Sequence, residues 1–204
     1  AAPETALYHD GRRYFTNCYN TNPTNGATAF LYVERDGVVH PCAGIGRAAN
    51  WSIFEAESYR SRELPAGANW RNNPPAFFWS DQDENGNLEP NEVVFGSGPG
   101  GGVTVMPDLS FCVSRVGDKA MRYRPIGFTA AGVPQYDFTQ GEVLVEGVQA
   151  PASSGGDQVL VDGEQTIVTL GVAPFAKQSL SGAVGGKPTW SYPSLWPGLH
   201  AAHE

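Results

Sequence analysis

Turn signals recur roughly every 8–12 residues along this chain, and no other feature constrains its fold as much. They are supplied by 25 glycines and 16 prolines in 204 residues, with no collagen-like period. Between them lie short runs of aromatic and β-branched residues. RRYFTNCYN (12–20), ATAFLYVERDGVVHPCAGIG (27–46), VTVMPDLSFCVSR (103–115), MRYRPIGFT (121–129) and EVLVEGV (142–148) are examples. Such runs suit a pleated, half-buried surface. Only WSIFEAESYRSREL (51–64) has the composition of a short helix, and Pro65 and Gly67 end it. The expectation is an all-β fold with at most one short helix.

A loose internal repeat narrows the architecture. AFLYVERDGVVHP (29–41) and QVLVDGEQTIVTLG (158–171) both read as strand, D-G turn, strand, and each precedes a further apolar segment. The unit length is about 40–50 residues once long loops are set aside. This pattern predicts β-propeller blades, with a β-sandwich as the alternative. A closed propeller has about 4–8 blades, and a chain of this length supplies only two to three. Residues 1–204 are therefore expected to form a single β-rich domain or part of a larger propeller. In the second case the partner is another protein chain or the remainder of a longer one, paired by strand addition. PASSGGDQ (151–158) reads as a flexible loop between units.

Lys plus Arg number 13 against 21 Asp plus Glu, a net charge of −8. No basic cluster is present to replace the counterions of a nucleic acid, which excludes that partner class. No apolar run approaches the ~18 residues of a membrane-spanning helix. Cys18, Cys42 and Cys112 form no C-x-x-C pair, so zinc-knuckle and thioredoxin readings have no basis. A Cys18–Cys42 disulfide across a hairpin and three reduced core thiols both remain open.

Against this background residues 81–92, DQDENGNLEPNE, stand out, with five acids and three asparagines in twelve positions. They match the calcium loop D-x-[DN]-x-[DN]-G-x5-E at every constrained position. Asp81, Asp83 and Asn85 fall at loop positions 1, 3 and 5, where side-chain oxygens converge. Gly86 permits the reversal that lets them do so. Asn87 would offer its backbone carbonyl, Glu89 would bind directly or through water, and Glu92 would close the shell. Hard oxygen donors in this number suit Ca²⁺ rather than softer metals. The flanks NNPPAFFWS and VVFGSGPGGG are proline-rich, aromatic and β-branched, so they do not read as the helices of a paired EF-hand. A strand, calcium loop, strand frame is expected, with a structural rather than a switching ion. Such a site fits a secreted or periplasmic compartment, where calcium is millimolar.

FFWSDQDENGNLEPNEVVF (77–95) resembles the EF-hand-like calcium loops set between strands in large secreted bacterial β-propeller proteins. PTWSYPSLWPGLHAAHE (188–204) resembles a W-x-Y-P-x-x-W-P-G-x-H-x-x-H segment of such proteins. Together the two stretches cover under a fifth of the chain. The resemblance implies an architecture and a calcium loop, and it implies no activity.

Other constellations are weaker. His200 and His203, three apart near Glu204, could hold a second metal, with His9 or His40 as a third ligand. GIGRAAN (44–50) lacks the third glycine and the βα frame of a dinucleotide loop. Asp108, Asp118 and Asp137 sit in turn-like settings that suit capping better than acid catalysis. Trp51, Trp70, Trp79, Trp190 and Trp196 would serve the core, or a glycan platform where exposed. Three functions follow as expectations. The first is an extracytoplasmic, calcium-stabilised propeller module acting as scaffold or binding subunit. The second is a piece of a propeller enzyme with a site near His200 and His203, and the third is a carbohydrate-binding module.

Overall fold

The computed structural model describes residues 3, 5–17, 28–98, 100–149, 158–169, 174 and 180–192. The chain is all-β, and its strands form antiparallel sheets that run up and down in chain order. The first sheet is a six-stranded meander of β1 (Thr5–His9), β2 (Arg12–Thr16), β3 (Ala29–Arg35), β4 (Val38–Arg47), β5 (Ala76–Ser80) and β6 (Val93–Gly96). Next come β7 (Val103–Val105), β8 (Phe111–Val116) and β9 (Lys119–Tyr123), then a two-stranded ribbon of β10 (Gly127–Phe128) and β11 (Pro134–Gln135). A further strand, β12 (Glu142–Glu146), joins β9, so the second sheet has the order β12-β9-β8-β7. The third sheet is the meander β13 (Gln158–Asp162), β14 (Gln165–Thr169), β15 (Leu180–Val184) and β16 (Lys187–Tyr192).

Two-residue hairpins account for much of this order. Asp10–Gly11 and Asp36–Gly37 both lie at positive φ, the geometry whose twist matches the flanking strands. The repeat at 158–171 differs by one residue from the pattern read in the sequence. Asp162 still pairs with Gln165, so Gly163 and Glu164 make that turn. The run at 103–115 is two strands rather than one. It breaks at 106–110, where Leu109 takes a positive φ and Met106 and Ser110 close the reversal. The predicted helical stretch folds as one 3-10 turn, Ser52–Glu55, and α1 (Glu57–Arg60). Among the described residues no helix is long and apolar enough to cross a membrane.

Period-2 alternation sends each strand's side chains to two faces, and here both faces are used. Leu31, Val33, Ile45 and Phe78 of the first sheet pack on Val103, Phe111, Val113 and Tyr123 of the second. The opposite face of the second sheet, with Cys112, Ala120 and Val145, packs on Val159, Val168 and Ala183 of the third. The three sheets thus stack in chain order, with the second as the middle layer. The outer face of the first sheet carries Phe30, Phe77 and Trp79, and residues 48–70 fold over it with Trp51, Phe54, Tyr59 and Trp70. This explains why β5 reads AFFWS and is buried at every position. The outer face of the third sheet is different. Leu160, Ile167, Gly182 and Trp190 lie in one cross-strand row. Val184, Trp190 and Tyr192 on this face are exposed.

Candidate metal centre

The acidic loop connects β5 to β6, which pair antiparallel, so its two ends are fixed by the sheet. The chain leaves β5 with Asp81, whose N–H donates to the Cys42 carbonyl at 2.9 Å. It returns through a 3-10 turn, Pro90–Glu92, into β6. The strand, loop, strand frame expected from the flanks is therefore present.

Inside the loop most hydrogen bonds run from the backbone to its own acids. Asp81 is fully buried, and its Oδ1 accepts the Gly86 N–H at 3.1 Å. Gly86 sits at φ +74°, which turns that N–H inward. Glu92 is 2% exposed. Its Oε1 accepts the N–H groups of Gln82 (2.5 Å) and Asp83 (3.1 Å), and its Oε2 accepts the Trp79 indole N–H at 3.1 Å. Asp83 Oδ1 accepts the Asn85 N–H, and Asn85 Oδ1 accepts the Asn87 N–H at 2.6 Å. The Asn85 amide nitrogen lies 2.8 Å from Asp83 Oδ2 and 3.3 Å from Glu89 Oε1. A half-turn of that amide would present its oxygen to the same two carboxylates.

Asp81, Asp83 and Glu92 each place a carboxylate oxygen within 4.8 Å of the others. That limit is twice the Ca²⁺–O distance of about 2.4 Å, the farthest apart that two ligands of one ion can lie. One oxygen in the group is left over. Asp81 Oδ2 is buried and accepts no hydrogen bond. Its nearest cation is the Arg35 guanidinium at 4.0 Å, beyond hydrogen-bond reach. Burial pushes the Asp81 carboxyl up from its ordinary value and the nearby Asp83 charge adds to this, while the Gly86 N–H and Arg35 only partly oppose it. A buried carboxylate in that condition gains from taking up a proton or from a cation brought to its free oxygen.

Of the expected ligands, the fold brings Asp81, Asp83 and Glu92 together and sets Asn85 and Glu89 beside them. Asn87 is exposed at the loop's outer end. The site has two supports that no local pattern revealed. Tyr59 donates its hydroxyl to the Leu88 carbonyl at 2.5 Å, and Arg62 donates to the carbonyls of Pro90 (2.7 Å) and Val93 (2.8 Å). Arg62 also lies over the Phe95 ring, and Arg60 over Trp70. The covering segment of the first sheet thus also clasps the exit of the loop.

His200, His203, Cys18 and Trp196 lie outside the described residues. Cys42 and Cys112 are buried free thiols; burial pushes Cys112 up to about 12 and Cys42 higher still. Neither has the exposure or the thiolate character of a reactive cysteine. His9 stacks on Phe128, and His40 is a β4 residue paired with Val33. Gly44 and Gly46 of the GIGRAAN segment lie within β4, close against Phe30 and Phe77, which leaves no phosphate loop there. Asp108 accepts from Ser110, and Asp137 caps a 3-10 turn through Thr139. Comparison with protein-family models, curated proteins and solved structures finds no match for the chain.

Proposed function

We propose that this chain is a calcium-stabilised β module of an extracytoplasmic protein, built from propeller-type blades and serving as a scaffold or binding subunit. One observation carries the calcium part: a fully buried carboxylate, Asp81, which has one oxygen without a hydrogen bond and is clustered with two further acids. The ion would be held by Asp81, Asp83, Asn85 and Glu92, with Glu89 direct or through water and the Asn87 carbonyl completing the shell. Its role is to hold a twelve-residue connection whose own N–H groups cannot neutralise its acids. A static clamp of this kind works where calcium is abundant, which supports a secreted or periplasmic location.

The scaffold part is supported by the stack of sheets. Antiparallel meanders that pack face to face in chain order are what successive blades do. The outer face of the third sheet, where Val184, Trp190 and Tyr192 are exposed, supports assembly with another chain or with further sheets of a longer one.

Calcium titration of chelator-treated protein tests the reading. The expected result is one site per chain, filled by calcium at or below about 1 mM and bound more weakly by magnesium. The melting temperature should rise on binding. Asp83→Asn, at an exposed position, should weaken binding without unfolding the ion-free protein. No heat of binding and an unchanged melt at about 10 mM calcium, well above the range of weak extracellular sites, would overturn the proposal.

A further inference from the structure

We infer that Arg35 sets the affinity of the acidic loop for its cation, acting as a counter-ion built into the neighbouring hairpin; the inference rests on the calcium reading above. Arg35 is the last residue of β3, immediately before the Asp36–Gly37 turn, and far from the loop in sequence. Its side chain is 19% exposed and reaches across to the loop. One guanidinium nitrogen lies 2.6 Å from Glu84 Oε2, and the other lies 4.0 Å from the unsatisfied Asp81 Oδ2.

The Glu84 anchor is itself unusual. Glu84 holds φ +65°, a left-handed conformation that a non-glycine residue keeps only when its surroundings impose it. The ion pair with Arg35 is the contact that engages the Glu84 side chain. The pair with Glu84 thus holds the guanidinium beside the buried Asp81 carboxylate rather than in solvent.

Two consequences follow from charge alone. Without an ion, Arg35 offsets part of the repulsion among Asp81, Asp83 and Glu92, so the loop keeps its shape. With an ion, the guanidinium and a divalent cation share one buried carboxylate and repel each other through a poorly screened space. Arg35 thus trades cation affinity for stability of the ion-free loop. That trade fits a site filled by millimolar calcium and refilled after transient loss.

The test uses the whole chain, with Ca²⁺ alone as ligand, in wild type, Arg35→Met and Arg35→Lys. Calorimetric titration gives the affinity, and melts in chelator give ion-free stability. Arg35→Met should bind calcium about tenfold or more tightly, the effect of removing one nearby charge. Its melt in chelator should move down. Arg35→Lys keeps the charge and should stay near wild-type affinity. Opposite movement of affinity and ion-free stability is the signature, because a merely structural arginine would lower both when lost. If Arg35→Met does not fold, Arg35→Gln serves the same comparison with a second uncharged side chain. Wild-type binding with unchanged or weaker binding in the neutral variants overturns the role of Arg35 alone. Absence of calcium binding in the wild type overturns the calcium reading and this inference together.

Discussion

Asp81, fully buried, and Asp108, half-buried, both sit in connections between antiparallel strands, yet their surroundings treat them in opposite ways. Asp108, in the β7–β8 turn, accepts from the Ser110 N–H at 3.1 Å, the Ser110 hydroxyl at 2.6 Å and Arg122 at 2.7 Å. Arg124, itself paired with Glu142, stands 3.9 Å away. Burial pushes the Asp108 carboxyl up, but the Ser110 hydroxyl and N–H and the Arg122 charge together outweigh it, and the carboxyl ends below its ordinary value. For Asp81 burial wins, and the carboxyl ends above it. The first turn is complete within its own sheet. The second leaves one buried carboxylate oxygen, Asp81 Oδ2, without a hydrogen-bond donor.

The severest way to break this comparison is to remove Glu92, which accepts more N–H groups than any other described loop acid. Glu92 accepts three N–H groups from a position 2% exposed. Glu92→Ala strips the buried Trp79 indole N–H and the part-buried N–H groups of Gln82 and Asp83 of their acceptor, and also removes a proposed cation ligand. The expected loss is about 3 kcal/mol in chelator, from the lost acceptor alone, and it should be read from the urea midpoint. A loss under about 1 kcal/mol, the size of a single ordinary hydrogen bond, would mean that water replaces the carboxylate and that the loop is no more demanding than the Asp108 turn.

Paired neutral substitutions sharpen the contrast with a smaller effect. Asp108→Asn should cost about 1 kcal/mol with or without calcium, since it weakens hydrogen bonds to Ser110 and Arg122. Asp81→Asn should cost little or nothing in chelator, because it removes a charge that burial disfavours. In saturating calcium the same substitution should abolish the ion-induced rise in melting temperature. Thermal melts of both variants in the two conditions decide it. Equal calcium dependence in the two variants would erase the distinction between the turns.

Much of this contrast was legible in the sequence, and the part that was not has a physical reason. The acidic register from Asp81 to Glu92 is local, since each ligand position is set by backbone reversal within twelve residues. D-G hairpins are local too, and the strands they join are where turn chemistry placed them. Arg35, Tyr59 and Arg62 act on the loop only because β3 and the segment covering the first sheet are folded beside it. No spacing rule encodes such contacts. The burial of Asp81, on which the proposed cation site depends, is likewise a property of the assembled sheet. Strand β1 was missed for a different reason, because ALYHDG is too short and polar to announce itself without its partner β2. The 103–115 run looked continuous because its turn uses Pro107, Asp108 and Leu109, with no glycine to mark it.

Acid pH provides the mildest test, and the two aspartates should respond to it with opposite slopes. Asp108 has a folded value below its unfolded one near 3.8. Its contribution is present above that unfolded value and is lost as pH falls through the folded one. Its side chain is 39% exposed, so solvent screening keeps the contribution under about 1 kcal/mol. Asp81 in chelator has a folded value above 3.8. The folded state then takes up the proton first, so the penalty of its buried charge is present above the folded value and disappears as pH falls to the unfolded one. Ion-free wild type should therefore gain stability from Asp81 as pH drops from neutrality toward 3.8, and lose that of Asp108 only below it. Urea midpoints of wild type, Asp81→Asn and Asp108→Asn between about pH 7 and 3 separate the two, each variant flattening one limb. A wild-type profile that falls monotonically from neutrality in chelator, with Asp81→Asn parallel to it, would place both aspartates in the same self-sufficient class and remove the electrostatic case for a cation at residues 81–92.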